Sequence, residues 1–388
     1  MLRLWSLVAS FWVSVAISQS PQTFITGRTT GPLPYLEYGL GDDRLGGAKM
    51  VYLDTNILVK VVDSVNGDYK ISLSAHHDAW LPKSGFKADT ITKSNSYYLS
   101  NSWKVSGDEN FDYVSIGLDE RLPYRSIQQI GPSRILVDIF GVTSNTNWIT
   151  QLSSVKEIKN AWYEQVEDDV FRVIIDLNHA QHWGYSIYYE MNKLVIRVKR
   201  QPEDLDLEKL IIAVDAGHGG DNGGAGGVTS RIAEKDYTLL IAKELEKELQ
   251  DEHAFVFMTR QIDTTLSMVE RITMLKEQQP HLLISIHLNS SNKDSIRGVS
   301  TYYRYIGFRP LTQFILKRMT DIGLTEFGNV GSFNFSLSGP TDYPNCLVEV
   351  AFLSNKEDEQ LILDPGFHKK VAKQIVKGIK DWLDSCRK

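Results

Sequence analysis

The chain has 388 residues, with 42 Lys and Arg against 48 Asp and Glu and a formal net charge of −6; at roughly 150 residues per domain that length fits two or three domains. Hydrophobic residues at 42% and charged residues at 23% are ordinary globular usage, which excludes a disordered or collagen-like chain. The mild acidity argues against nucleic acid or an anionic membrane as main partner, and two cysteines cannot supply a disulfide framework or a Cys-based zinc module. Any metal site must therefore come from His, Asp and Glu.

Residues Met1–Ser20 carry Arg3, an apolar run from Leu4 to about Ile17, and the small residues Ala16 and Ser18 two apart. The apolar run, about 14 residues, falls short of the roughly 20 a spanning helix needs. This pattern predicts a cleavable signal peptide over 1–18, the alternative being an uncleaved anchor or a buried helix. The mature protein is then secreted, to a periplasm or cell envelope, without a transmembrane anchor. Cys346 sits in an apolar run and Cys386 at the C-terminus, and the sequence leaves open whether they pair.

From 21 to 105 short β-branched runs (Val51–Leu53, Ile57–Val62, Tyr69–Leu73, Ala79–Pro82) alternate with turn signals such as Asn66-Gly67-Asp68. The spacing suggests a small barrel, and the segment resembles a bacterial SH3-like module. From 106 to 200 the runs Arg134–Ile139, Val170–Leu177 and Lys193–Val198 alternate with period two, the pattern of sheets with one buried and one wet face. Their order is similar to the AMIN domain that precedes many cell-wall amidases, and this resemblance implies envelope localisation, through glycan or envelope partners. Trp148, Trp162, Trp183, Tyr185, Tyr188 and Tyr189 could stack on sugars, but aromatics are common in strands and core positions are the simpler reading. Gln201–Glu208 is polar, contains Pro202, and reads as a linker.

The texture changes over 209–388. Leu210–Val214 and Leu282–Ile286 are continuous apolar runs suited to strands buried on both faces. Tyr237, Leu240, Ile241, Leu245 and Leu249 repeat at helical steps, a helix over Leu266–Gln278 should stop before Pro280, and further helices are predicted over Leu311–Met319 and Phe367–Leu383. With strands at Phe255–Met258, Gly298–Tyr303 and Leu347–Phe352, this is an α/β domain: a mostly parallel twisted sheet flanked by helices, preceded by two small all-β domains.

Functional groups of such sheets gather where strands end. Here His218 follows the first strand, His287 closes the third, and Glu349 lies in Leu347–Phe352. Glu234 opens a helix after the loop Gly223–Gly227, whose glycines let the chain fold back towards the strand ends. Two His and a Glu are a standard protein set for catalytic zinc, although each residue alone has a duller reading as a cap or helix-dipole acid. A Glu within an apolar run is harder to dismiss, because burying an uncompensated carboxylate is costly.

Asp215–Gly220, Ala233–Asp236, Met258–Arg260, Glu270-Arg271, Ser285–Asn289, Asn334-Phe335 and Val348–Asn355 occur in the order seen in zinc-dependent N-acetylmuramoyl-L-alanine amidases of the Amidase_3 type, which the segment 209–388 resembles. The resemblance implies Zn2+ held by His218, Glu234 and His287, Glu349 as catalytic acid/base, and Asn334, Phe335 and Leu337 beside the substrate groove. It implies architectural roles for Asp215, Arg260, Glu270 and Arg271. The expected activity is hydrolysis of the amide between the lactyl group of N-acetylmuramic acid and L-alanine in peptidoglycan. Alternatives are a non-catalytic peptidoglycan-binding protein, or a zinc peptidase acting on crosslinks. Some relatives carry a helical plug after the strand that follows the second His. Here only Arg304–Pro310 intervenes, so the site is expected to be open without an activator.

Overall fold

A computed structural model describes residues 24–41, 45–92, 95 and 97–387; the expected signal peptide lies outside them. Residues 25–88 form one seven-stranded antiparallel sheet in the order Lys49–Tyr52, Tyr35–Glu37, Asp78–Pro82, Asp68–Ser72, Leu58–Val65, Ile25–Thr29, Phe86–Ala88. The second β unit comprises a four-stranded antiparallel sheet, Tyr124–Ile130, Ser133–Phe140, Val170–Leu177 and Ile158–Glu167, and a six-stranded sheet around Tyr98–Gly107, Phe111–Leu118 and Lys193–Lys199. Tyr98–Gly107 crosses the boundary expected at 105 and pairs with Phe111–Leu118.

Period two is clean in Phe111–Leu118 but fails in Ser133–Phe140, where every residue from Ile135 onward is buried. The polar member there, Asp138, is 1% exposed and is paired with both Arg125 and Arg172. The β units are not independent, since one continuous cluster runs from Leu36 and Ile71 through Ile116 and Val173 to Val198. Asp54 seals the seam by accepting the Tyr189 N–H at 2.6 Å. Trp183, Tyr185 and Tyr189 are buried, whereas Trp148 is exposed.

The third unit has a six-stranded sheet in the order Phe255–Met258, Ile211–Ala216, Leu282–Asn289, Asn345–Phe352, Val299–Tyr302, Glu326–Val330. It is mixed: the first four strands run parallel, as do the last two, but Val299–Tyr302 is antiparallel to Asn345–Phe352. The connection 290–298 explains the reversal, because a parallel return needs a crossover of about a dozen residues or more. Five helices surround the sheet: α1 Glu234–Asp251, α2 Met268–Gln278, α3 Arg309–Thr320, α4 Lys356–Ile362 and α5 Pro365–Cys386. Ser267 and Glu270 form a reciprocal capping box on α2, which ends at Gln279 in the left-handed region, before Pro280.

Ile211–Ala216 is apolar except for the buried Asp215, because its residues are shared between two covered faces. Ile212, Val214 and Ala216 pack with α1, α3 and α5, whereas Ala213 packs with Ile272 and Leu275 of α2. The expected linker is not free, since Leu205 and Leu207 are buried in the same cluster as α5. Trp183 of the second β unit packs against Trp382 of α5 with ring centroids 5.0 Å apart and the planes tilted by 41°, so that unit is anchored to the third. No helix among the described residues is long and apolar enough to cross a membrane.

Candidate metal centre

Parallel neighbours deliver the reactive groups to one end of the sheet. Ala216 is registered with Ile286, which places the following Gly217-His218 beside His287, and His287 is registered with Glu349. The loop after His218 turns back through reciprocal backbone hydrogen bonds between Gly219 and Asn222, and the Gly227–Ile232 bond closes its return. Glu234 thereby opens α1 facing the strand ends. Its carboxylate accepts the N–H groups of Ala225 at 2.8 Å and Leu288 at 3.0 Å rather than capping its own helix.

The structure brings His218, Glu234 and His287 together, with one ligand-type atom from each lying within 4.8 Å of the others. Oε1 of Glu234 is 3.1 Å from Nε2 of His218 and 3.1 Å from Nδ1 of His287. Oδ1 of Asn222 accepts the Gly224 N–H, so it is the acceptor for Nδ1–H of His218 at 3.0 Å. Nε2 of His218 then carries a lone pair towards a carboxylate oxygen unless the ring is cationic. Nε2 of His287 is buried without a hydrogen-bond partner. Two imidazoles converging on one buried carboxylate satisfy each other only with a positive charge among them, so the donor set fits a metal ion.

The electrostatics agree. Burial opposes ionisation of Glu234, yet hydrogen bonds with His218 and His287 hold its carboxyl well below the usual range. Burial likewise opposes protonation of His287, but the bond to Glu234 and the nearby charge of Glu349 raise its pKa. Glu349 is half-buried, flanked in register by His287 on one strand and Ser300 on the other.

The support beneath is a grip on three consecutive carbonyls. Arg260 donates to the carbonyls of Ala216 and Gly217, each at 2.9 Å, and Arg271 donates to those of Ala216 and His218. Asp215, 1% exposed, accepts from Arg271, Thr259 and Ser285. His218 itself holds a φ of +61°, a left-handed conformation imposed on a non-glycine residue by these contacts. Glu359, buried in α4, accepts the backbone N–H and hydroxyl groups of both Thr229 and Ser230, pinning the far side of the loop. Sequence reasoning missed Asn222 and Glu359; Asn222 before Gly223-Gly224 is a turn signal, whereas Glu359 had none.

Gly217 is required by close approach: a Cβ there would lie 2.4 Å from Cε1 of His287. Gly217→Ala should therefore displace the ring, lowering kcat/KM by roughly 100-fold, the cost of about 1 Å of misplacement. Steady-state kinetics beside metal content measure it.

Of the residues expected beside the groove, Phe335 meets the His287 ring edge-on with centroids 5.3 Å apart. Leu337 is 1% exposed and packs inward with Ile272, Leu275 and Tyr343, so it supports the segment from below. The amide of Asn334 is engaged by residues 45–49 and Arg304. Cys346 and Cys386 are both free thiols.

Residues 212–381 match the N-acetylmuramoyl-L-alanine amidase family and residues 101–198 the AMIN domain. A germination-specific N-acetylmuramoyl-L-alanine amidase of Bacillus subtilis is 31% identical over 198 residues, covering 46% of this chain and 82% of that protein. A probable cell wall amidase LytH of Staphylococcus epidermidis is 34% identical over 180 residues, covering 46% of this chain and 60% of its own length. Among solved structures, the catalytic domain of the amidase CwlV from Bacillus (Paenibacillus) polymyxa is 32% identical. That match covers 45% of this chain and 98% of the solved catalytic domain, with a TM-score of 0.43.

Proposed function

The chain belongs to the N-acetylmuramoyl-L-alanine amidase family, and from that premise we propose that it is a zinc-dependent cell-wall hydrolase. It severs the amide between the lactyl group of N-acetylmuramic acid and the L-alanine of the stem peptide, outside the cytoplasm. The observation that carries the reading is the convergence of His218, Glu234 and His287 beside Glu349 at one sheet end.

In this reading His218, Glu234 and His287 hold zinc, which when bound polarises a carbonyl and lowers the pKa of water. Asn222 fixes the tautomer of His218, as partners of metal-binding imidazoles do. The N–H groups of Ala225 and Leu288 hold the Glu234 carboxylate in place. Glu349 takes the proton of the attacking water and delivers it to the departing alanine nitrogen, so that a neutral amine leaves. The two β units serve envelope localisation, the second as an AMIN domain and the first as an SH3-like module.

Metal removal tests the reading. Dialysis against a chelator should abolish release of stem peptides, stoichiometric Zn2+ should restore it, and His218→Ala and His287→Ala should fail to retain the metal. Full activity in the metal-free protein would refute the assignment.

A further inference from the structure

The face of the third sheet that carries Ala213 and Asp215 is only partly covered by α2. Leu33 and Tyr52 of the first β unit complete the cover, packing into the cluster of Leu275, Leu337 and Tyr343. From that anchor the segment 45–52 clamps the segment 334–339. Oδ1 of Asn334 accepts from the Lys49 N–H at 3.0 Å and from Arg304 at 3.1 Å, while its Nδ2 donates to the carbonyls of Gly47 at 2.8 Å and Leu45 at 3.3 Å. Arg304 donates in addition to the Lys49 carbonyl, and the Tyr52 hydroxyl donates to the Ser336 carbonyl at 3.3 Å. Both donors and the acceptor of the Asn334 amide are thus used within the chain. The next residue, Phe335, is the one whose ring meets His287.

Resting on the amidase reading, we propose that the first β unit is a fixed wall of the catalytic groove, with Asn334 and Tyr52 as positioning residues. They hold the lip 332–339 so that Phe335 stays seated against His287. The module is a wall rather than a removable plug because leaving would uncover buried apolar surface at both ends. On one side Leu337 and Tyr343, 1% and 0% exposed, would lose their cover. On the other, the unit shares its core with the second β unit, which is itself tied to α5 through Trp183 and Trp382. The site is therefore built from residues nearly three hundred positions apart in sequence, and the isolated segment 209–388 lacks part of it.

The test uses the full chain with Tyr52→Phe, which removes one hydroxyl and keeps the ring, and Asn334→Asp, which sets a carboxylate against two carbonyl oxygens. Hydrogen exchange of the 332–339 amides, kinetics on polymeric peptidoglycan, zinc content and thermal midpoint are measured together. The expected result is faster exchange confined to 332–339 in both variants. With it kcat/KM falls roughly 10- to 100-fold, as misplacement of a lip by up to about 1 Å requires, at unchanged zinc content and thermal midpoint. Unchanged exchange at 332–339 overturns the proposal, whatever the activity. So does a rise in activity, which would mark the unit as a plug, or a loss in Asn334→Asp alone, which would mark Asn334 as a direct substrate contact. A fall in thermal midpoint parallel to activity would reduce the contact to a structural one. A wild-type chain inert on peptidoglycan would strike the amidase reading instead, and the exchange data would still decide the lip.

Discussion

Glu349→Gln lowers the rate of stem-peptide release by about 10²- to 10⁴-fold, the usual contribution of a positioned general acid–base group, while zinc content and fold persist. The substitution keeps shape and removes only the proton carrier. Glu349 projects from the strand next to His287 in register, close enough for its charge to raise the His287 pKa, yet it is outside the group of three converging ligand atoms. The loss should therefore fall on kcat, with substrate binding little changed, because a proton relay matters only once the amide is under attack. A variant that lost zinc together with activity would show Glu349 to be a ligand, and the assignment of roles would have to be redrawn.

Arg271→Met destabilises the chain by about 3–5 kcal/mol near neutral pH, the cost of leaving one partner of a buried ion pair alone. Arg271 and Asp215 are each 1% exposed, and the guanidinium also holds the carbonyls of Ala216 and His218. Burial pushes the Asp215 carboxyl up, but Arg271, followed by the Ser285 hydroxyl, His287 and the Thr259 hydroxyl, brings it below its ordinary value of 3.8. In the wild type this contribution is complete above that ordinary value and is lost as pH falls through the lower folded one. In Arg271→Met the carboxylate has lost its main counter-charge, so folding favours the protonated acid and acidification relieves the penalty. The stability gap between the two proteins should shrink as pH is lowered, which denaturant melts at a series of pH values will reveal. A pH-independent gap would mean that Arg271 acts through packing alone.

The third unit was legible because its signals are local. Runs buried on both faces, helical steps and Pro280 placed most of its elements to within a few residues. The segments missed are those without such signals. Glu326–Val330 is an edge strand interrupted by Gly328 at a φ of +150°, and α4 is a short, highly charged helix fixed by the Asn355 cap. The reversed strand Val299–Tyr302 follows from a short connection, which is countable in the sequence, although the neighbour it pairs with is not.

At the site, His218, Glu234 and His287 could be picked out because each stands where a strand or helix begins or ends, and the Gly-rich loop explained how Glu234 returns to them. What stayed hidden depends on distant pairings. Glu359 holds Thr229 and Ser230 from 130 positions away, and Lys49 meets Asn334 across 285. The shared core of the two β units is hidden for the same reason: alternation shows which side of a strand is buried, not what buries it.

Cleavage of the lactyl amide is tested most directly by mass analysis of the products when the zinc-loaded full chain digests purified peptidoglycan. The expected products are stem peptides with a free L-alanine amine and glycan strands left with free lactyl carboxyls. Opened crosslinks on peptides still joined to muramic acid, or sacculi bound but uncut, would contradict it.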